Sequence, residues 1–407
     1  MAEAGRPKYS ISKKTHPIKL WTFLSALSLL AAVAGGFNEP WIEIDGALDP
    51  NFGYAEKFIT PENSQFGPKI EGTSVDSLGR VYAVDFQDQT RQLGQLSNER
   101  GEVDQKLFFK WGDKKSYFNG IRFFPVPRDD SNVFATAFLA DKKGQVIQVI
   151  QSKKDGVVRG RVFCKDKHMI EPNDVAVSYT TMKVYSTGLN YAPNTTYGDG
   201  DIWICDIPKD SAIHSADLGE GGSVAKATRL KLQGRANGIE VSSDEKHLYA
   251  TETWATDMKI HSNVVWKYDI DQETGLLSNK RLFFDMKEID EELQGTAGDI
   301  DGVRTDMAGN LFLVRNGEPG EVVKVSPEGK LVTRIKLPGI IEPTNIELGG
   351  PHGTTLFIVG KCRENQKLGC IDKWENYDSP GRAFFHLYRP GVPPPSNEVE
   401  TEEHDEL

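Results

Sequence analysis

RANGIEVSSDEKHLYATET, residues 235–253, reads as a polar corner, a short alternating strand, a tight turn and a second strand. The corner is Asn237-Gly238, and an Asn-Gly pair by itself is an ordinary hairpin signal. Its relatives along the chain carry more information. They are IEGTSVD from Ile70, FNGIRFF from Phe118, PNDVAVS from Pro172, IDGVRTD from Ile300 and PTNIELG from Pro343. Each sets a polar residue at a corner and follows it with a short β-type run. The polar residues are Glu71, Asn119, Asn173, Asn237, Asp301 and Asn345, spaced by 48, 54, 64, 64 and 44 residues. An internal period of this size marks repeated supersecondary units.

Several units continue alike. After Asp301, four strand-length runs follow, separated by Gly-containing turns, and the same holds after Asn237. Four antiparallel strands per unit, in six units, predict an all-β fold: a six-bladed β-propeller around a central channel. The 39 Gly, 21 Pro and 38% apolar residues agree with a turn-rich fold and a sizeable core. The propeller is assigned to residues 38–391. An N-terminal strand is expected to pair within the last blade and so remove open sheet edges. The last strand-like run is placed at Arg382–Gly391.

The formal net charge is −11, and six acids fall in the last ten residues. No basic cluster with interleaved aromatics appears in the body, which argues against a nucleic-acid partner. Residues 1–19 form a basic N-terminal tail. Residues 20–37 are an uncharged run near the length that spans a bilayer. This run is read as either a transmembrane signal-anchor of a single-pass type II membrane protein or a cleaved signal peptide, with Ala32-Val33-Ala34 as the small-residue site. Residues 392–407 read as a disordered acidic tail ending in His404-Asp405-Glu406-Leu407. HDEL is an endoplasmic reticulum retention signal bound by a retrieval receptor, so the expected location is the lumen of that compartment. Four cysteines suit an oxidising lumen. Cys362 and Cys370 bracket a loop short enough for a local disulfide. Cys164 and Cys205 could then pair, though three connectivities are open. Asn194 heads the N-x-Thr sequon, in a Tyr/Pro/Gly-rich loop, and is the expected glycosylation site.

In a propeller, the corners leading into the innermost strands converge at one end of the channel. Glu71, Asn173, Asn237 and Asp301 would then meet from four blades. Two carboxylates and two amides are hard oxygen donors and suit Ca²⁺, although another divalent cation fits the same donors. No Cys/His spacing for zinc is present. A hard cation with open positions polarises a carbonyl or phosphoryl oxygen and acidifies water.

IEGTSVDSLGRVYAVD, EPNDVAVS, RANGIEVSSDEKHLYATET, the long run from GDIDGVRTD and EPTNIELGGPHGTTLFIV together resemble the motifs of the senescence-marker-protein/gluconolactonase family. The resemblance covers roughly Gly53 to Arg389, and extends more distantly to paraoxonases and strictosidine-synthase-like proteins. It implies Glu71, Asn173, Asn237 and Asp301 as metal ligands, with Asp301 also acting on the substrate as general base or nucleophile. Asp174 would bind a second Ca²⁺, support the first site or contact substrate, or it is simply a turn cap. Asn119 and Asn345 are further substrate-binding candidates. The chain departs from the pattern in places. Sugar lactonases place an Arg two residues before the first motif Asn, where this chain has Glu171. Paraoxonases have a His at the second corner, where this chain has Asn119. The expected activity is Ca²⁺-dependent hydrolysis of a small-molecule lactone or related ester. The alternatives are a phosphotriesterase-like activity and a non-catalytic, calcium-pinned propeller that binds a protein.

Overall fold

A computed structural model describes residues 52–126, 133–208, 225–289, 298–317 and 320–388. The basic tail, the apolar run at 20–37 and the acidic tail with its HDEL ending lie outside the described residues.

The innermost strands of six sheets are Thr73–Val75, Phe118–Phe124, Pro172–Ser178, Ile239–Val241, Ile300–Thr305 and Ile340–Gly349. Each packs against the next, and the last packs against the first. Within each blade, four strands follow in antiparallel order outward from the channel. The fold is a six-bladed β-propeller. Inner strands are buried on both faces between neighbouring blades, so runs such as VFATAFLAD at Val133–Asp141 are wholly buried. Outer strands meet solvent and turn polar, as in VDQKLFFK at Val103–Lys110.

The ring closes at the chain ends. Glu56–Ile59 pairs antiparallel with Gly369–Glu375, opposing Glu56 to Lys373, and completes the sixth blade as the sequence predicts. Phe52–Tyr54 pairs in parallel with the outer strand Leu331–Lys336, giving the fifth blade an extra edge strand. The same short segment therefore ties two blades and covers an edge.

One expectation is corrected. Arg382–Leu387 is an α-helix, not a strand. Arg382, Ala383, Phe384 and Leu387 are buried while Phe385 is exposed, the three-to-four spacing of a helix face. The helix lies against innermost strands of the first, second and sixth blades. It closes the channel at the end opposite the corners.

The corners themselves differ from simple turns. In the second, third, fifth and sixth blades the strand register shifts between Phe118 and Ile121, Pro172 and Val175, Ile300 and Val303, and Pro343 and Asn345. Asn119, Asn173 and Asp301 thus sit in β-bulges. A bulge re-aims side chains out of the regular alternation. Cys164 on the outer strand of the second blade is bonded to Cys205 in the third, and Cys362 to Cys370 within the sixth.

Candidate functional site

Contacts around the channel join one corner to the next. A Cβ on Gly72, whose φ is +37°, would lie 1.8 Å from the Asn119 carbonyl oxygen. One on Gly120 would lie 2.4 Å from Asp174 Oδ1. Only glycine lets the backbones approach this closely. The Ile239 N–H reaches Asp174 Oδ2 at 3.5 Å, and Thr187 Oγ1 donates to the Asn237 carbonyl. Thr73 Oγ1 donates to Asn345 Oδ1 at 3.3 Å and closes the circle.

Asn316 Nδ2 donates to Asp301 Oδ2 at 3.0 Å, and the Asn237 amide lies close enough to lower the Asp301 carboxyl. Burial drives the Asp301 carboxyl up to about 8, Asp299 and Asp174 add to it, and the two amides oppose it. Glu71 is raised well above the carboxylate range by burial first and then by the Asp301 charge. Neither carboxylate has an ion-pair partner among the described residues. Asn237 Oδ1 and Asn119 Oδ1 are buried without a hydrogen-bond partner. Asn173 is also buried, 7% exposed.

These residues fit a hard divalent cation. A buried amide oxygen without a donor and two crowded carboxylates without a cation are the groups such an ion satisfies. No three His, Cys, Asp or Glu side chains cluster as a metal site among the described residues. Amide oxygens must therefore help complete any cation's shell.

Asp174 and Asn345 are engaged differently. Asp174 Oδ2 lies 3.1 Å from Arg304 Nη1, and its Oδ1 accepts the Val175 N–H at 2.8 Å. A positive group already stands where a second cation would bind. Asn345 Oδ1 accepts from the Ile346 N–H at 2.9 Å as well as from Thr73. Asn194 is exposed, and its Oδ1 accepts the Asp257 N–H at 2.8 Å.

Several residues escaped the sequence reading. Arg235 reaches both oxygens of Asp299 at 3.2 and 3.0 Å, bonds the Ala192 carbonyl at 2.7 Å and lies 4.1 Å from the Tyr191 ring centre. Arg235 and Asp299 each stand two residues before a corner residue. A charge two residues before a corner, as at Glu171, is the sequence signal that marks them. Below the corners, Arg122 pairs with Glu240 at 2.8 Å, and Arg382 of the terminal helix pairs with Glu240 at 2.6 Å and also with Glu245. Glu347 lies 3.5 Å from Arg122 and 3.7 Å from Arg304. These buried guanidiniums and carboxylates form one ion-pair network between the inner strands and the terminal helix.

Residues 197–361 match the family model described as SMP-30/Gluconolactonase/LRE-like region. A gluconolactonase of Zymomonas mobilis is 32% identical over 215 residues, covering 51% of this chain and 53% of that protein. A pentonolactonase of Haloferax volcanii is 30% identical over 125 residues, covering 31% and 38%. The chain thus spans about half or less of the curated relatives it matches. Among solved structures, regucalcin from Agrobacterium tumefaciens, a calcium-binding protein, aligns with a TM-score of 0.55 at 18% identity, covering 84% of this chain and 100% of that one. A luciferin-regenerating enzyme aligns with a TM-score of 0.55 at 19% identity, covering 80% and 96%. At such identities the likeness concerns the fold alone. Residues 197–361 are thus similar to an SMP-30/gluconolactonase/LRE-like region, and the fold that carries them is a six-bladed propeller.

Proposed function

We propose that this chain hydrolyses a small lactone or related ester at the corner end of its channel, with Ca²⁺ as its cation, in the lumen of the endoplasmic reticulum. The observation that carries the reading is the buried, unpartnered Asn237 Oδ1 beside an Asp301 carboxylate that has no cationic partner. The names of the pentonolactonase and gluconolactonase relatives support the substrate class. The Asn194 sequon and two disulfides support an oxidising, glycosylating compartment.

Glu71, Asn173, Asn237 and Asp301 would hold the ion, whose Lewis acidity polarises a carbonyl oxygen and keeps neighbouring carboxylates ionised. Asp301 accepts the proton of the attacking water, and the Asn316 amide fixes its orientation. The unpartnered Asn119 Oδ1 accepts a hydrogen bond from a substrate hydroxyl. The guanidiniums beneath keep bulk water from entering through the far end. The test is a panel of lactones and aryl esters, assayed with and without a calcium chelator. Turnover of a lactone that disappears on chelation and returns with added Ca²⁺ is the expected result. Binding of Ca²⁺ without turnover of any member would replace hydrolysis by the scaffold reading.

A further inference from the structure

Most cationic side chains around the mouth are already matched to acids. Lys143 pairs with Asp113, Arg235 with Asp299 and Lys361 with Glu342. Lys142 is different. Phe118 opposes Asp141 across the second blade, so the turn after Asp141 opens at the same end as the corner Asn119. Lys142 is the first residue of that turn, and its N–H donates to the Tyr117 carbonyl at 3.0 Å. Its Nζ lies 4.2 Å from the centre of the Tyr117 ring. Among the described residues no carboxylate stands within ion-pair distance of that Nζ.

The side chain is half-buried over the ring face, and its charge acts on Glu71 from beyond ion-pair distance. Lys69 lies on the same ring, 5.5 Å from its centre. Tyr117 stands two residues before Asn119, whose buried Oδ1 has no partner. A second aromatic wall rises elsewhere on the mouth. There Tyr191 covers Arg235, but Asp299 has neutralised that cation. The mouth is therefore uneven: Arg235 is neutralised by direct contact, whereas the ammoniums beside Tyr117 face Glu71 and Asp85 only at longer range.

We propose that Lys142 is a specificity-determining residue whose ammonium, held over Tyr117 at the channel mouth, takes an anionic group carried by the substrate away from the ring that opens. The group is a carboxylate, phosphate or sulfonate. This inference rests on the lactone-hydrolysis reading and names a substrate class for it. Asn119 would hydrogen-bond the same substrate between the anion and the reacting carbonyl.

The test compares Lys142→Met and Lys142→Arg with the wild type on matched lactones bearing a neutral, a carboxylate or a phosphate tail. The expected result is that wild type favours the anionic members in kcat/KM. Lys142→Met should lower that preference by about tenfold, mainly through KM, and Lys142→Arg should restore it. The carboxylate and phosphate arms identify which anion the site takes. If Lys142 only balances Glu71, Lys142→Met changes neutral and anionic substrates by the same factor, and the proposal is overturned. Calorimetric binding of gluconate and gluconate 6-phosphate separates this outcome from failure of the hydrolase reading. A wild-type preference for the phosphate that Lys142→Met abolishes upholds the anion site even if no lactone is turned over. An equal preference in both proteins overturns it.

Discussion

The two ends of one channel treat buried acids in opposite ways. At the helix end, Glu240 faces Arg382 and Arg122 at 2.6 and 2.8 Å, and the guanidiniums outweigh burial and hold its carboxyl down to about 2. At the corner end, Asp301 has amides for neighbours and no guanidinium, and burial carries it up to about 8. The same inner strands supply both ends. Arg122, Glu240 and Arg304 each lie three residues after a corner residue, at Asn119, Asn237 and Asp301. One end has built-in counter-charges and is sealed. The other leaves its acids uncompensated, which is what a site needs if the counter-charge is to come from an ion and the remaining space from a substrate.

The sharpest test of that contrast is Asp301→Asn. The amide keeps the shape and the Asn316 neighbour but accepts no proton, so kcat on the best lactone should fall by roughly 10²–10⁴-fold, with the thermal midpoint little changed. Steady-state kinetics together with a melting curve read both quantities. Near-wild-type turnover would remove Asp301 from the chemistry.

The helix end should answer in stability rather than rate. Arg382→Met leaves Glu240 and Glu245 with one guanidinium fewer and should cost about 3–5 kcal/mol in urea unfolding. Adding Glu240→Gln to it should recover part of the loss, because the stranded charge is then gone. If the double variant is as unstable as the sum of the two singles, the plug is not an electrostatic unit. Calcium lies between these cases. Saturation at 100 times its Kd should raise unfolding stability by about 2.7 kcal/mol, and Asp301→Asn should reduce that gain while Arg382→Met leaves it in place.

How much of this was legible follows from the same strands. The corners could be read because polar residue, glycine and alternating run recur together, and Glu71, Asn237 and Asp301 were named from that pattern. The plug could not. In GIRFF, GIEVS and GVRTD the charged residue occupies an alternating polar position, which in an isolated strand means solvent. Only closing the ring turns that face toward other charges. RAFFHL was misread because six residues are too few to separate a period of two from one of 3.6. The bulges at Asn119, Asn173 and Asp301 depend on register with a partner strand. Lys142 acquires meaning only from the folded turn that sets it over Tyr117, so no local pattern marks it.

A last test compares Glu240 with a buried carboxylate that no guanidinium or ammonium contacts, Lys57 and Arg363 acting on it only from a distance. Asp372, on the third strand of the sixth blade, accepts the Gly339 N–H at 2.9 Å through Oδ2, and its Oδ1 is buried without a partner. Burial raises it from an ordinary 3.8 to about 7. Between those values the unfolded chain has released the proton and the folded one keeps it. The contribution of Asp372 is thus full below about 4 and lost as pH rises through 7. Glu240, lowered from 4.5 to about 2, has the opposite sign: its contribution is full above 4.5 and lost as pH falls toward 2. One proton changes the slope by at most about 1.4 kcal/mol per pH unit. Asp372→Asn should flatten the fall in stability between pH 4 and 7 and leave the acid limb alone. Glu240→Gln should flatten only the acid limb. Urea midpoints measured across pH 3–8 read both. If both variants flatten the same limb, counter-charge is not what distinguishes these buried acids.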